Sequence, residues 1–143
     1  MILVDANILL YAYDPLSPKH EAARSWLEAR FSEPERLALP WASVLAFVRI
    51  STNPRLMQHP LALEEAIQIA STWLNRPNVV VLSPGERHWE ILQTLLVEGQ
   101  ASGPLVTDAH LAALTVEHGA TLATADRGFT RFPGLKLINP LRN

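Results

Sequence analysis

A chain of 143 residues with a formal net charge of −2 is long enough for one domain that buries roughly two thirds of the surface its unfolded form exposes, and it is not a globally basic nucleic-acid binder. It contains no cysteine, which excludes disulfides, thiolate metal sites and a cysteine nucleophile and fits a reducing compartment. Its apolar stretches are broken by charges or prolines well short of a membrane span, and the N-terminal run has no basic leader or cleavage site, so the expectation is a cytoplasmic protein, one domain over residues 1–143, with no membrane contact.

In chain order, Ile2-Leu3-Val4 is a continuous apolar run too short for a buried helix, and it predicts a strand covered on both faces with Asp5 at its carboxyl end. Ile8 to Tyr13 predicts a short helix, with Asn7 as its candidate cap, broken by Asp14-Pro15-Leu16-Ser17-Pro18. Between Lys19 and Phe31 the apolar positions Ala23, Trp26, Leu27 and Phe31 recur on one helical face, with Arg30 an intruder on it. Arg36 to Leu39 reads as a second strand stopped by Pro40. Trp41 to Ser51 reads as a strongly buried helix with Arg49 its single charge.

Asn53-Pro54-Arg55 ends that helix. Leu56 to Leu61, which reads as a connecting loop or a partner surface, leads to an amphipathic helix over Leu63 to Leu74, and the β-branched run Val79 to Leu82 reads as a parallel-type strand. A helix is expected from Ser83-Pro84-Gly85-Glu86 to about Glu98, then the flexible stretch Gly99 to Pro104. From Asp108 to His118 runs a helix with a small-residue face of Ala109, Ala112, Ala113 and Val116, ended by Gly119. Ala120 to Ala123 is a fourth strand and Leu135 to Ile138 a fifth. Strands separated by helices throughout indicate an α/β fold, a three-layer α/β/α sandwich on a central parallel sheet of four to five strands.

Of the acidic residues ten are Glu and only four are Asp: Asp5, Asp14, Asp108 and Asp126. Asp5 follows the first strand, Asp126 follows the fourth, and Asp108 opens a helix beside them, so a parallel sheet brings these three toward the edge where α/β sheets bind ligands. Taken singly, each has a plain structural reading: Asp5 and Asp108 as helix caps, Asp126 as a turn former in Asp126-Arg127-Gly128. Together they repel by about 3 kcal/mol per pair at roughly 5 Å and an effective dielectric near 20. Mg²⁺ or Mn²⁺ compensates such a set, takes oxygen ligands and keeps waters that can serve as nucleophiles, which suits phosphodiester hydrolysis. Asn7, Thr107 and Thr124 add neutral oxygens nearby. Arg49 and Asn53, four apart on one helix face, read either as a phosphate and backbone or base-edge contact or as a salt bridge and a helix C-cap. His110, His118 and the four tryptophans read as structural.

Four segments in order, Val4-Asp5-Ala6-Asn7-Ile8-Leu9, Phe47-Val48-Arg49-Ile50-Ser51-Thr52-Asn53-Pro54-Arg55, Thr107-Asp108-Ala109-His110-Leu111-Ala112-Ala113 and Thr124-Ala125-Asp126-Arg127-Gly128-Phe129, resemble a PIN domain of the VapC toxin family. The resemblance implies a Mg²⁺- or Mn²⁺-dependent endoribonuclease, RNA as substrate, a homodimer, and inhibition by a VapB-like antitoxin, with Asp5, Asp108 and Asp126 as the catalytic metal ligands. Two departures stand out. The family's usual glutamate on the helix after the second strand is absent, Ala46 or Phe47 standing about where it belongs, and Gly128 replaces an acid that many relatives carry; Asp14 and Glu33 are the only substitutes to hand. The expected consequence is one well-held metal rather than two. The alternatives are a catalytically weakened PIN-like module that binds RNA or an antitoxin, and a haloacid-dehalogenase-like phosphohydrolase. The latter family normally has a second Asp where this chain has Asn7, and an active-site lysine, for which only Lys19 and Lys136 are available.

Overall fold

The computed structural model describes residues 1–142. Five short strands, β1 (Ile2–Val4), β2 (Leu37–Ala38), β3 (Val79–Val80), β4 (Thr121–Ala123) and β5 (Leu137–Ile138), form one sheet in the order β3-β2-β1-β4-β5. Every pairing is parallel. Six helices connect them: α1 (Ala6–Tyr13), α2 (His20–Phe31), α3 (Trp41–Ser51), α4 (Leu63–Leu74), α5 (His88–Glu98) and α6 (Leu105–Glu117).

Alternation along the strands divides the core into two layers. Ile2, Val4, Leu37, Leu39 and Ala123 pack against α1 to α4, while Leu3, Ala38 and Leu122 pack against α5 and α6. The expected α/β/α sandwich is therefore the observed one. The strand order reverses direction at β1, so the loops after β1 and β4 diverge to opposite faces and leave a crevice at the carboxyl edge between them. Among the described residues no helix is long and apolar enough to cross a membrane.

Several elements differ from the expectation, some for local and some for tertiary reasons. Helix α1 begins at Ala6 because Asp5 itself is the cap, its Oδ1 accepting the Ala6 amide at 2.7 Å, so Asn7 lies inside the helix. Helix α3 is two-faced rather than strongly buried: Phe47 is fully buried against Tyr13 and Trp73, yet Trp41 and Leu45 are 53% and 62% exposed. Strand β3 pairs on one side only, stops at Val80 and leaves Val81 exposed. Helix α5 begins at His88, four to five residues late, because the preceding amides of Gly85 and Arg87 are taken by Glu117 from the end of α6.

Helix α6 begins at Leu105, before Asp108. Gln100 and Gly103 turn the chain through positive φ values of 51° and 58°, and Pro104 then enters at a helical φ of −61°. The buried face of α6 is broader than the small-residue stripe, with Leu111, Leu114 and Thr115 buried beside its alanines and Val116 only half-buried. Gly119, at φ +63°, ends α6 in the left-handed conformation that a Cβ disfavours. A 3₁₀ helix over Arg127–Arg131, unforeseen in the sequence, follows Asp126.

Candidate active site

The register Val4↔Ala123 sets Asp5 beside Thr124 at the carboxyl edge of the two central strands, and the Asp5 amide continues the ladder by donating to the Ala123 carbonyl at 3.0 Å. Thr124, 3% exposed, is the hub there. Its hydroxyl donates to Asp5 Oδ2 at 2.7 Å and accepts from the Asp126 amide at 3.0 Å and from Asn7 Nδ2 at 3.3 Å. One donor and two acceptor positions are all that a threonine hydroxyl offers, so it is fully used. Asn7 Oδ1 in turn accepts the Ala125 amide at 3.4 Å. The residues after β4 are thereby tied to the first turn of α1.

Asp126 faces this network through its backbone and turns its side chain over the following loop, where Oδ1 accepts the Gly128 amide at 2.8 Å. A Cβ on residue 128 would lie 3.0 Å from that same oxygen. Glycine lets the carboxylate settle there, and a side chain at 128 would push against it.

Asp108, in the first turn of α6, shares a cavity of about 380 Å³ with Asp5, Ser43, Ala46, Arg49 and Thr107. Burial pushes the Asp5 carboxyl above the ordinary carboxylate range, against the pull of the bonds from Thr124 and Ala6, and the Asp126 charge pushes it further. Asp108 is raised as well, by burial first, then by Asp5 and Asp126, with the Arg131 guanidinium opposing. The three carboxylates thus feel one another's charge, although Asp126 opens onto a neighbouring cavity and not onto the one that holds Asp5 and Asp108.

Arg49 lines the cavity from α3 and forms no ion pair among the described residues. Asn53 does not line it; its Oδ1 accepts the Arg55 amide at 2.9 Å and closes the turn after α3. Of the two positions at which the glutamate of the family was expected, Phe47 is in the core and Ala46 faces the cavity. Neither substitute acid is there: Asp14 Oδ1 accepts the Leu16 amide at 3.0 Å, and Glu33 pairs with Arg30 at 3.5 Å.

Three contributors escaped the sequence reading. Ser43, 1% exposed and with no hydrogen-bond partner for its hydroxyl among the described residues, lines the cavity one turn before Ala46, a spacing that helical periodicity could have flagged. Arg131, which acts on Asp108, is fixed by donating to the carbonyls of Gly128 and Gly99, both at 3.2 Å, and no pattern announces such a long-range bond. Gly128, which the sequence marks as a turn residue and as the place of a missing acid, also supplies the amide that holds Asp126 Oδ1. The histidines are structural: His110 is hydrogen-bonded to His88 at 2.9 Å, and His118 to the Ser83 carbonyl at 3.0 Å. Neither lysine reaches the site, since Lys19 lies 5.2 Å from the Tyr11 ring centre and Lys136 precedes β5 at the opposite edge.

The donor set suits a hard divalent cation. Among the described residues no group of three or more Asp, Glu or His side chains is arranged to hold a metal ion by itself. Mg²⁺, however, is typically bound through one or two carboxylates with waters and substrate phosphates completing the shell. Asp5 and Asp108, sharing one cavity and both raised by burial first and by neighbouring carboxylates second, offer such a pair, and a bound cation would offset both penalties.

The PIN domain family matches residues 2–135. The chain is 41% identical over 140 residues to Ribonuclease VapC37 of Mycobacterium tuberculosis, covering 98% of this chain and 97% of that one, and 38% identical over 141 residues to Ribonuclease VapC43 of the same organism, covering 99% and 96%. In three dimensions it is similar to VapBC2 from Rickettsia felis, solved bound to a DNA fragment from their promoter, with a TM-score of 0.70 at 20% identity over 97% of this chain and 98% of that one. A sheet reversed at β1, carboxylates at its carboxyl edge, and likeness along nearly the whole length place the chain in the PIN-domain family, among the VapC proteins.

Proposed function

We propose that this chain is a Mg²⁺- or Mn²⁺-dependent endoribonuclease, the toxin of a VapBC-type pair, hydrolysing RNA phosphodiester bonds within a single cytoplasmic domain. The observation that carries the reading is that Asp5 and Asp108 line one cavity and both carboxyl groups are raised by burial and by neighbouring negative charge. Buried like charges cost stability unless a ligand uses them, and perturbed carboxylates in a cleft mark functional sites.

In this reading Asp5 and Asp108 hold the cation, and Asp126 contributes charge from the neighbouring loop. A divalent ion so held supplies Lewis-acid stabilisation of the phosphate and lowers the pKa of water at its surface. The protein's own residues do the rest. Thr124 keeps Asp5 in one rotamer, Asn7 fixes Thr124, and Arg49, with no carboxylate partner among the described residues, offers donors to a phosphate oxygen across the cavity. Thr107 adds a hydroxyl at the same wall. In-line hydrolysis then leaves a 5′-phosphate and a 3′-hydroxyl. The relatives named as VapC ribonucleases support this reading, as does the likeness in fold to a VapBC toxin.

The partners follow from the same family. A VapB-like antitoxin is the expected inhibitor, and the exposed Trp41 and Leu45 on α3 offer apolar surface for a homodimer. Ala46 at the cavity wall favours a second reading, a PIN-like module that binds RNA or antitoxin without turnover. One experiment separates the two. Antitoxin-free protein is incubated with RNA under a Mn²⁺ titration and under EDTA, beside Asp5→Asn. Cleavage that requires the metal and Asp5 supports the nuclease; metal-independent binding without cleavage supports the module. Cleavage that persists in EDTA sinks the metal-dependent nuclease.

A further inference from the structure

A second cavity, of about 170 Å³, opens on the other side of Asp126, between the 3₁₀ helix, the end of β5 and the C-terminal segment. Its wall carries Asp126, Arg127, Thr130, Ile138, Asn139 and Arg142. The arginines at this cavity differ from those on the ion-paired helix surfaces. Arg24, Arg30 and Arg87 are ion-paired to glutamates, whereas the side chains of Arg127 and Arg142 are exposed and make no ion pair or hydrogen bond among the described residues. Asn139 Oδ1 accepts the Leu141 amide at 3.0 Å, and its NH₂ group has no acceptor among the described residues. Ile138, at 38% exposure, provides an apolar floor.

Two arginines and an asparagine amide without side-chain partners among the described residues line one small cavity with an apolar floor, and together they match the parts of a nucleotide: phosphate, base edge and base face. Arginine planes and amides are what proteins use to read unstacked RNA bases. The volume is below the roughly 300 Å³ of sites for drug-sized ligands, so it has room for one base or one sugar-phosphate. An acidic side chain of a peptide would use the arginines but, having no planar ring, would leave the apolar floor idle. A bare cation would meet two guanidinium groups.

We propose that this cavity binds one nucleotide of the RNA strand next to the bond that is cut, with Arg127 and Arg142 on its phosphate and Asn139 on its base. The inference rests on the ribonuclease reading and adds to it a specificity site contiguous with Asp126. It makes the loop after β4 serve two ends: the Asp126 charge acts on Asp5 and Asp108, and Arg127 lines the neighbouring cavity.

The test measures binding apart from cleavage. A labelled single-stranded RNA is titrated by fluorescence anisotropy against the Asp5→Asn protein, with and without Arg127→Gln and Arg142→Gln. The double variant is expected to bind about tenfold more weakly and to lose roughly 0.7 of the logarithmic salt slope for each phosphate contact removed. Arg24→Gln, on the ion-paired surface of α2, serves as the control and leaves both unchanged. In the otherwise unaltered protein, Asn139→Asp keeps the acceptor for Leu141 and removes the amide donor. Sequencing of the cleaved ends should then show a weakened base preference at one position beside the cut. Unchanged affinity, salt slope and end sequences would overturn the proposal, as would a double variant that loses affinity for the antitoxin alone. A protein that cuts no RNA with any divalent metal overturns the nuclease reading instead, and the affinity comparison still decides the pocket.

Discussion

Glu117 at the end of α6 and Asp5 at the end of β1 are both carboxylates drawn into the fold, and both accept two hydrogen bonds. Glu117 takes the amides of Gly85 and Arg87 at 2.9 and 3.1 Å, and its carboxyl is held below the usual range by the Gly85 bond, which outweighs burial, then by the Arg87 bond and by His118 and His88. Asp5 takes the Ala6 amide and the Thr124 hydroxyl, both at 2.7 Å, yet burial outweighs them and Asp126 adds repulsion, so its carboxyl rises. One carboxylate has more donors than it has desolvation; the other has fewer. A charge that finishes satisfied supports the fold, here by bracing the entry to α5. A charge left short of compensation stores affinity for something that binds later.

The comparison breaks most visibly at Asp5. Asp5→Asn is expected to lower metal-dependent RNA cleavage by on the order of a hundredfold or more, the scale for loss of an electrostatic group at a reacting centre. The same variant should melt at a higher temperature than the parent in EDTA, because it removes a buried charge whose compensation is missing. A parent and variant that melt together in EDTA would show that Asp5 is already satisfied, as Glu117 is.

Thr124→Val comes next. It strips a hydrogen bond from Asp5 and leaves the Asp126 amide and the Asn7 amide without their shared acceptor. A Mn²⁺ affinity loss of about 10- to 100-fold is expected, as for other groups that orient a ligand. Urea denaturation should show a loss of about 1–3 kcal/mol from the unsatisfied donors. Glu117→Ala, in contrast, should lower the melting temperature by a few degrees through the freed amides before α5 while cleavage per folded molecule stays at the parent's rate.

The smallest effects lie in pH dependence, and they have opposite signs. A carboxyl raised in the folded state binds its proton more tightly there than in the unfolded chain. In EDTA, Asp5 and Asp108 are therefore expected to remove stability as pH rises from the ordinary carboxylate range through their raised values, and saturating Mg²⁺ or Mn²⁺ should restore it. Glu117 is lowered, so its contribution is present above the unfolded carboxylate pKa and is lost as pH falls through its folded value. Chemical denaturation across the acid range, with Asp5→Asn and Glu117→Gln each flattening its own slope, reads both.

Much of this protein was legible from its amino acids. Alternating apolar strands and amphipathic helices announced a parallel sheet with a helical layer on each face, since burial on both faces leaves strands no polar position. The spacing of Asp5, Asp108 and Asp126 relative to those elements was enough to send them toward one edge. The sequence could also show that a glutamate was absent after the second strand. It left Ala46 and Phe47 equal as its place, because the facing of a helix depends on what packs against it; Tyr13 and Trp73 draw Phe47 inward and leave Ala46 to the cavity.

What only the tertiary structure decided are the contacts between residues far apart in the chain. Thr124 meets Asp5 across 119 positions, and Glu117 meets Gly85 across 32. Both threonine and glutamate are ordinary surface residues until a strand register or a helix end brings a donor or acceptor to them. Periodicity encodes which face of an element is buried, but not which polar partner waits there. Whether a carboxylate becomes a brace or a binding group is therefore set by the balance of desolvation against donors after folding.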